Sequence, residues 1–156
     1  MWDLDLGVVG VIGRIALAVL FGAIIGMERQ RRGKAAGMRT LMLVGLGSAM
    51  FVVAGEEITQ STPGANRLSI AVPLIAAVIG GVGFLGAGTI IRNAGRVEGV
   101  TTAAAIWVTA GLGVTCGVGE FVLAAICGLA VLITLGIVRY TEGPPKTPQE
   151  KQDPHT

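Results

Sequence analysis

Five long apolar stretches, separated by short charged or glycine-containing breaks, set the pattern of this chain: residues 7–27, 40–55, 68–91, 100–116 and 121–138. A run of about 20 apolar residues crosses a hydrocarbon core of about 30 Å, so each stretch predicts a transmembrane helix. The second is short. At 1.5 Å per residue it covers only roughly 24 Å, and its flanks must snorkel or the bilayer must thin. Residues 56–67 read as an outer loop, 92–99 as a tight inner loop and 117–120 as an outer turn, with Pro73 predicted to break the third span near its outer end. The predicted architecture is all-α, a polytopic bundle of about five transmembrane helices. One membrane domain, residues 1–142, precedes a disordered cytoplasmic tail, 143–156.

Composition agrees with that pattern. Apolar residues make up 52% of the 156, charged residues 14%, and the mean hydropathy is +0.72, whereas about a quarter of an ordinary soluble chain is charged. The first span is no typical secretory signal, because acidic Asp3 and Asp5 precede it and the basic cluster follows. Basic residues fix the orientation. Arg29, Arg31, Arg32, Lys34 and Arg39 fall on one side, as do Arg92, Arg96, Arg139, Lys146 and Lys151. Outside that side stand only Arg67, and Arg14 within the first span. The positive-inside rule then places the N-terminus outside and the C-terminus in the cytoplasm.

Glycine and ionisable residues carry the candidate chemistry. Gly81-Val-Gly83-Phe-Leu-Gly86 matches a dinucleotide fingerprint, but that motif needs a preceding strand and a soluble βαβ unit, and here it would lie in hydrocarbon. Small residues have another use in membranes, because helices associate there by close backbone approach. Gly22-xxx-Gly26 and Gly113-xxx-Gly117, with Gly81, Gly83, Gly86 and Gly88 on the third span, predict glycine-packed faces and are compatible with a homodimer. A second possibility is that glycines loosen the third helix and offer carbonyl oxygens to a hard cation. Trp107, near mid-span and away from the interfacial belts, is expected to pack between helices. Arg14 is the one ionisable group placed within a span; snorkelling toward Asp3 or Asp5 is its plainest account.

The inner ends of the spans are richer. Glu28, Arg29, Arg39, Thr40, Arg92, Thr101 and Thr102 all fall there. Clustered, they would form a polar cytoplasmic site; otherwise the cations anchor to headgroups. Thr40 and Thr102 are candidate helix caps. Cys116 and Cys127 have no redox or zinc spacing and read as small buried residues. A lone His155 in the tail supplies neither a metal site nor a catalytic triad. No catalytic residue and no nucleic-acid partner are expected; the expected partners are the lipid bilayer and other membrane proteins.

Four motifs together resemble the MgtC/SapB family: GMERQ at 26–30, GMRT at 37–40, GGVGFLGAGTI at 80–90 and GVTTAAAIW at 99–107. Their order and spacing cover essentially all five spans. The resemblance implies a multi-pass protein of the bacterial inner membrane, linked to growth in low magnesium and, in some members, to virulence. It implies a modulator of other membrane proteins rather than an enzyme, with transport of Mg²⁺ or another small ion as the alternative. No cofactor is implied, although Mg²⁺ binding is compatible with it. Two departures stand out. Pro73 and Ala77 occupy positions where the family usually has Arg and Gln, and the chain is expected to be the membrane-only form, without the C-terminal domain of longer members.

Overall fold

The computed structural model describes residues 4–64, 66–93 and 96–141, so the predicted tail, Asp3 and His155 lie outside the described residues. Its elements are α1 (Leu4–Arg31), α2 (Met38–Ser61), α3 (Arg67–Ala87), β1 (Ile91–Asn93), β2 (Arg96–Glu98), α4 (Val100–Val118) and α5 (Phe121–Thr141). Four of the helices, α1 to α4, are long and apolar enough to cross a membrane; α5 is a further apolar helix. The protein is an all-α transmembrane bundle.

α4 packs on every other helix, and α2 lies against α1, α3 and α4. The three-helix centre is held by backbone approach rather than by large side chains. A Cβ added at Gly22 or Gly26 of α1 would fall within 3.0 Å of the α2 backbone at Leu41 and Met38. A Cβ at Gly45 of α2 would stand 2.7 Å from the carbonyl of Ala18. Further along the same face of α2, the same test places a Cβ at Gly113 of α4 2.5 Å from the Gly45 carbonyl, and one at Gly117 2.9 Å from that of Ala49. Such proximity maximises dispersion contact where lipid removes any hydrophobic drive between helices. Gly128 of α5 is seated on the ring of Phe21 in the same manner, beside buried Ala124.

Several expectations are corrected. α2 does not stop at residue 55 but continues to Ser61, its last turns reinforced by hydroxyls of Thr59, Ser61 and Thr62 bonding back to Gly55, Glu57 and Ile58 carbonyls. Hydropathy marks where apolar residues end, whereas a helix ends where its hydrogen bonds do. α3 runs unbroken through Pro73 and through its glycines to Ala87, so the loosened-helix alternative fails: within a regular helix the carbonyls are engaged along the axis. Pro73 forfeits one backbone donor in the second turn without ending the helix. The inner loop is an antiparallel β-hairpin, Ile91 opposite Glu98 and Arg92 opposite Val97. It closes through Gly99, whose φ of +90° and crowding by the Thr89 carbonyl exclude a side chain.

Thr40 and Thr102 are not caps. Gly37 and Gly99 hold the N-cap positions, without side-chain cap bonds. Trp107 is 55% exposed, because it lies on the face of α4 opposite buried Ala105, Thr109 and Cys116. Gly81 and Gly83 are also exposed, and a Cβ at either would meet nothing within 4 Å; within this chain they pack against no helix. Gly86 does touch α4, at Ala103, while Gly88 is the C-cap of α3 and meets only that helix's own carbonyls. Cys116 is buried, whereas Cys127 is exposed, and both are free thiols.

Candidate functional site

Two polar clasps hold the ends of the glycine-packed core. At the inner end, Arg29 is 2% exposed and its Nη2 donates to Thr102 Oγ1 at 3.2 Å, joining α1 to α4. A guanidinium taken out of water is costly unless its donors are engaged, so Thr102, itself buried, is placed where that charge needs an acceptor. The neighbouring residues extend the junction. Glu28 pairs with Arg32 one turn on, and Arg32 Nη2 donates to the Leu135 carbonyl of α5 at 3.3 Å. Gln30 Oε1 accepts the Met38 amide at 3.2 Å, which satisfies a donor at the start of α2. The last turn of α1 and Arg32 just after it thus reach α2, α4 and α5.

Of the remaining inner-rim candidates, Arg39, Thr40 and Arg92 do not converge on Arg29. Arg39 and Thr40 are exposed at the mouth of a groove between α2 and α3. Arg92 is exposed on β1, away from a helix end. Thr101, next to Thr102, lines a groove between α4 and α5 that Arg29, Arg32 and Lys34 also line. Successive helical residues are rotated by roughly 100°, so adjacent threonines face different surroundings.

At the outer end, Arg14 Nη1 bonds Glu56 Oε2 at 2.5 Å and donates to the Gly117 carbonyl at 3.2 Å. Its guanidinium also packs over Gly119, which a side chain would displace. Arg14 thus has a partner within the bundle, Glu56, while Asp3 and the side chain of Asp5 lie outside the described residues. That pairing follows from the extra length of α2, which brings Glu56 into the helix instead of a loop. The Gly117 carbonyl belongs to the last turn of α4, where unpaired acceptors carry partial negative charge. Along α1, Arg14 and Arg29 stand 15 residues apart, roughly 22 Å, so both clasps lie near the edges of the hydrocarbon rather than at its centre.

Sequence reasoning missed Gln30, Gly45 and Glu56. Gly45 carried a signal, since small Gly45, Ser48, Ala49 and Val52 recur at helical spacing and are all buried. Glu56 carried none without knowing where α2 ends. Among the described residues, no group of three His, Cys, Asp or Glu is arranged to hold a metal.

Glycine-sealed helices clasped at both ends, with apolar outer faces, define a multi-pass membrane protein in contact with lipid. Comparison with known proteins gives the family: residues 15–143 match the MgtC family, and the chain belongs to it. It is 46% identical over 136 residues to Protein SrpB of Synechococcus elongatus, covering 81% of this chain and 73% of that one. It is 43% identical over 104 residues to Protein MgtC of Salmonella typhimurium, covering 67% of this chain and 42% of the relative. With the Escherichia coli K12 protein named "Putative magnesium transporter YhiD" it shares 40% identity over 125 residues, covering 80% of this chain and 58% of that protein. The chain thus spans about half the length of the latter two. No solved structure matches it.

Proposed function

We propose that this protein is a non-catalytic modulator of other membrane proteins in magnesium homeostasis, seated in the bacterial inner membrane with its N-terminus outside and its C-terminus in the cytoplasm. One observation carries the choice of modulator over carrier: the buried ionic groups among the described residues are the Arg29 guanidinium and, next to it in sequence, the Glu28 carboxylate that Arg32 holds, and the other buried polar residues are Ser48, Thr102 and Thr109. Mg²⁺ sheds water reluctantly and demands oxygen ligands. A core closed by helix backbones and guarded by a guanidinium is a poor route for it. Glu28 and Glu56 are each committed to an arginine.

The contact surface proposed for a partner is the α2–α3 groove of about 710 Å³, whose lining includes Gly47, Ala77 and Gly81. Its occupant is a transmembrane helix of another membrane protein, because small side chains there admit a backbone closely. A second copy of this chain is the competing occupant. Photo-crosslinking from Leu43 and Leu85, which flank the groove, is expected to capture a discrete membrane partner. Leucine at Gly81 is expected to abolish capture while leaving the monomer folded, since nothing lies within 4 Å of that position. Unchanged capture would refute the proposed surface.

A carrier for Mg²⁺ is the second reading, favoured by the printed name of the Escherichia coli relative and by the acidic outer cleft of about 420 Å³ beside Glu56, Glu57 and Gln60. Saturable Mg²⁺ flux into proteoliposomes holding only this protein would establish it in place of the modulator.

A further inference from the structure

A trench of about 390 Å³ runs between α4 and α5 and opens at the inner end of the bundle. Its polar groups are confined to one end. Arg29, Arg32 and Lys34 stand at the rim with Thr101, while the depth is lined by Ala104, Trp107, Val108, Ala130 and Val131. Small Ala104 and Ala130 leave space where larger side chains would have closed it. Thr101 and Val108 are seven residues apart on α4, so the trench reaches roughly 10 Å below its rim. Among the described residues, three cations and no carboxylate line the trench, and the Glu28 carboxylate is paired with Arg32.

We propose that this trench is a binding site for an anionic phospholipid, its phosphate at the Arg32–Lys34 rim and one acyl chain lying over Trp107. Charge complementarity selects the headgroup: a net positive rim at the cytoplasmic edge of a membrane helix pair is suited to anionic lipid. The apolar depth selects a lipid over a soluble anion, which would leave the trench empty. Trp107 supports the same occupant, because an indole more than half exposed to hydrocarbon gains a fixed apolar surface against which a chain can order. Arg29 belongs to the clasp with Thr102 and supplies long-range charge; Lys34, exposed on the connection after α1, is the flexible contact.

The test uses the full chain carrying Trp2→Phe, so that Trp107 is the sole tryptophan, reconstituted in bilayers of phosphatidylcholine and phosphatidylglycerol. Bromine on the acyl chains of one lipid at a time quenches an indole in contact with that lipid. Brominated phosphatidylglycerol is expected to quench Trp107 as if bound about fivefold more tightly than phosphatidylcholine, the factor that roughly one interfacial cation provides. Lys34→Gln, at an exposed position, is expected to lower that preference to about half, and Arg32→Gln with Lys34→Gln to erase it. Arg31→Gln, on the same rim but outside the trench, is expected to leave it intact. Quenching that follows only the mole fraction of each lipid would overturn the site. So would equal loss in Arg31→Gln, which would mean a general surface field, or displacement of the lipid by inorganic phosphate. None of these outcomes bears on the α2–α3 groove, so the two proposals stand or fall separately.

Discussion

Replacing Gly22 by alanine tests the backbone-contact core directly. The added methyl would meet the Leu41 carbonyl and stand 2.8 Å from Met42 Cα. Both are main-chain atoms of a helix, unable to rotate away as a side chain can. Restoring ordinary contact requires α1 and α2 to part by more than about half an ångström, which spoils neighbouring contacts in an interior packed to crystal density. Overpacking of this kind costs about 2–3 kcal/mol, offset by up to about 1 kcal/mol from the better helix propensity of alanine. The net expectation is destabilisation by about 1–2 kcal/mol. Gly10, on the same helix, has nothing within 4 Å, so Gly10→Ala should be neutral or stabilising by up to about 1 kcal/mol. Unfolding in mixed micelles by titrated dodecyl sulfate, followed by helical circular dichroism, measures both. Adding Gly26→Ala to Gly22→Ala should cost less than the sum of the two, since one separation of the helices accommodates both methyls. If Gly22→Ala and Gly10→Ala shift stability in the same direction by similar amounts, the close approach of α1 to α2 is wrong.

Three further outcomes follow from the clasps and the hairpin. A double-mutant cycle of Arg14→Gln and Glu56→Gln should give a coupling of about 1–2 kcal/mol, reduced from a fully buried pair because both side chains keep some exposure; a coupling near zero would mean that the two do not meet. Thr102→Val should lose about 1.5–3 kcal/mol by depriving Arg29 of an acceptor, Thr102→Ser should restore most of it, and equal loss in both would assign Thr102 a packing role instead. Gly99→Ala should weaken the hairpin and the start of α4 by about 2 kcal/mol or more, visible as faster amide exchange at Ala103; unaltered exchange would contradict the positive φ.

Much of the architecture was decided by residue type in linear order. The apolar runs and the one-sided distribution of Arg and Lys depend on solvent and charge, which act on each residue wherever its neighbours come to rest. The Gly22–Gly26 and Gly113–Gly117 pairs were legible too, because their spacing alone puts each pair on one face of a helix. The third span shows where this logic ends. Gly81, four residues after Ala77, and Gly83, four before Ala87, have the same small-residue spacing on their side, yet they look outward, since nothing local tells a helix which of its small-residue faces a neighbour will cover. Trp107 turned outward for the same reason.

Only the tertiary arrangement decided the partners of the charged groups. Arg14 and Glu56 are 42 positions apart, and Arg29 and Thr102 are 73. Either arginine could have been satisfied locally as far as the sequence was concerned. What selected Glu56 was the end point of α2, a matter of hydrogen bonding rather than hydropathy. What selected Thr102 over Thr101 was the rotation of α4, fixed by Gly113 and Gly117 lying against α2. Residue chemistry sets which elements form and which side of the bilayer each end prefers, but a pairing across the bundle depends on helix rotation and length, and those are settled by packing.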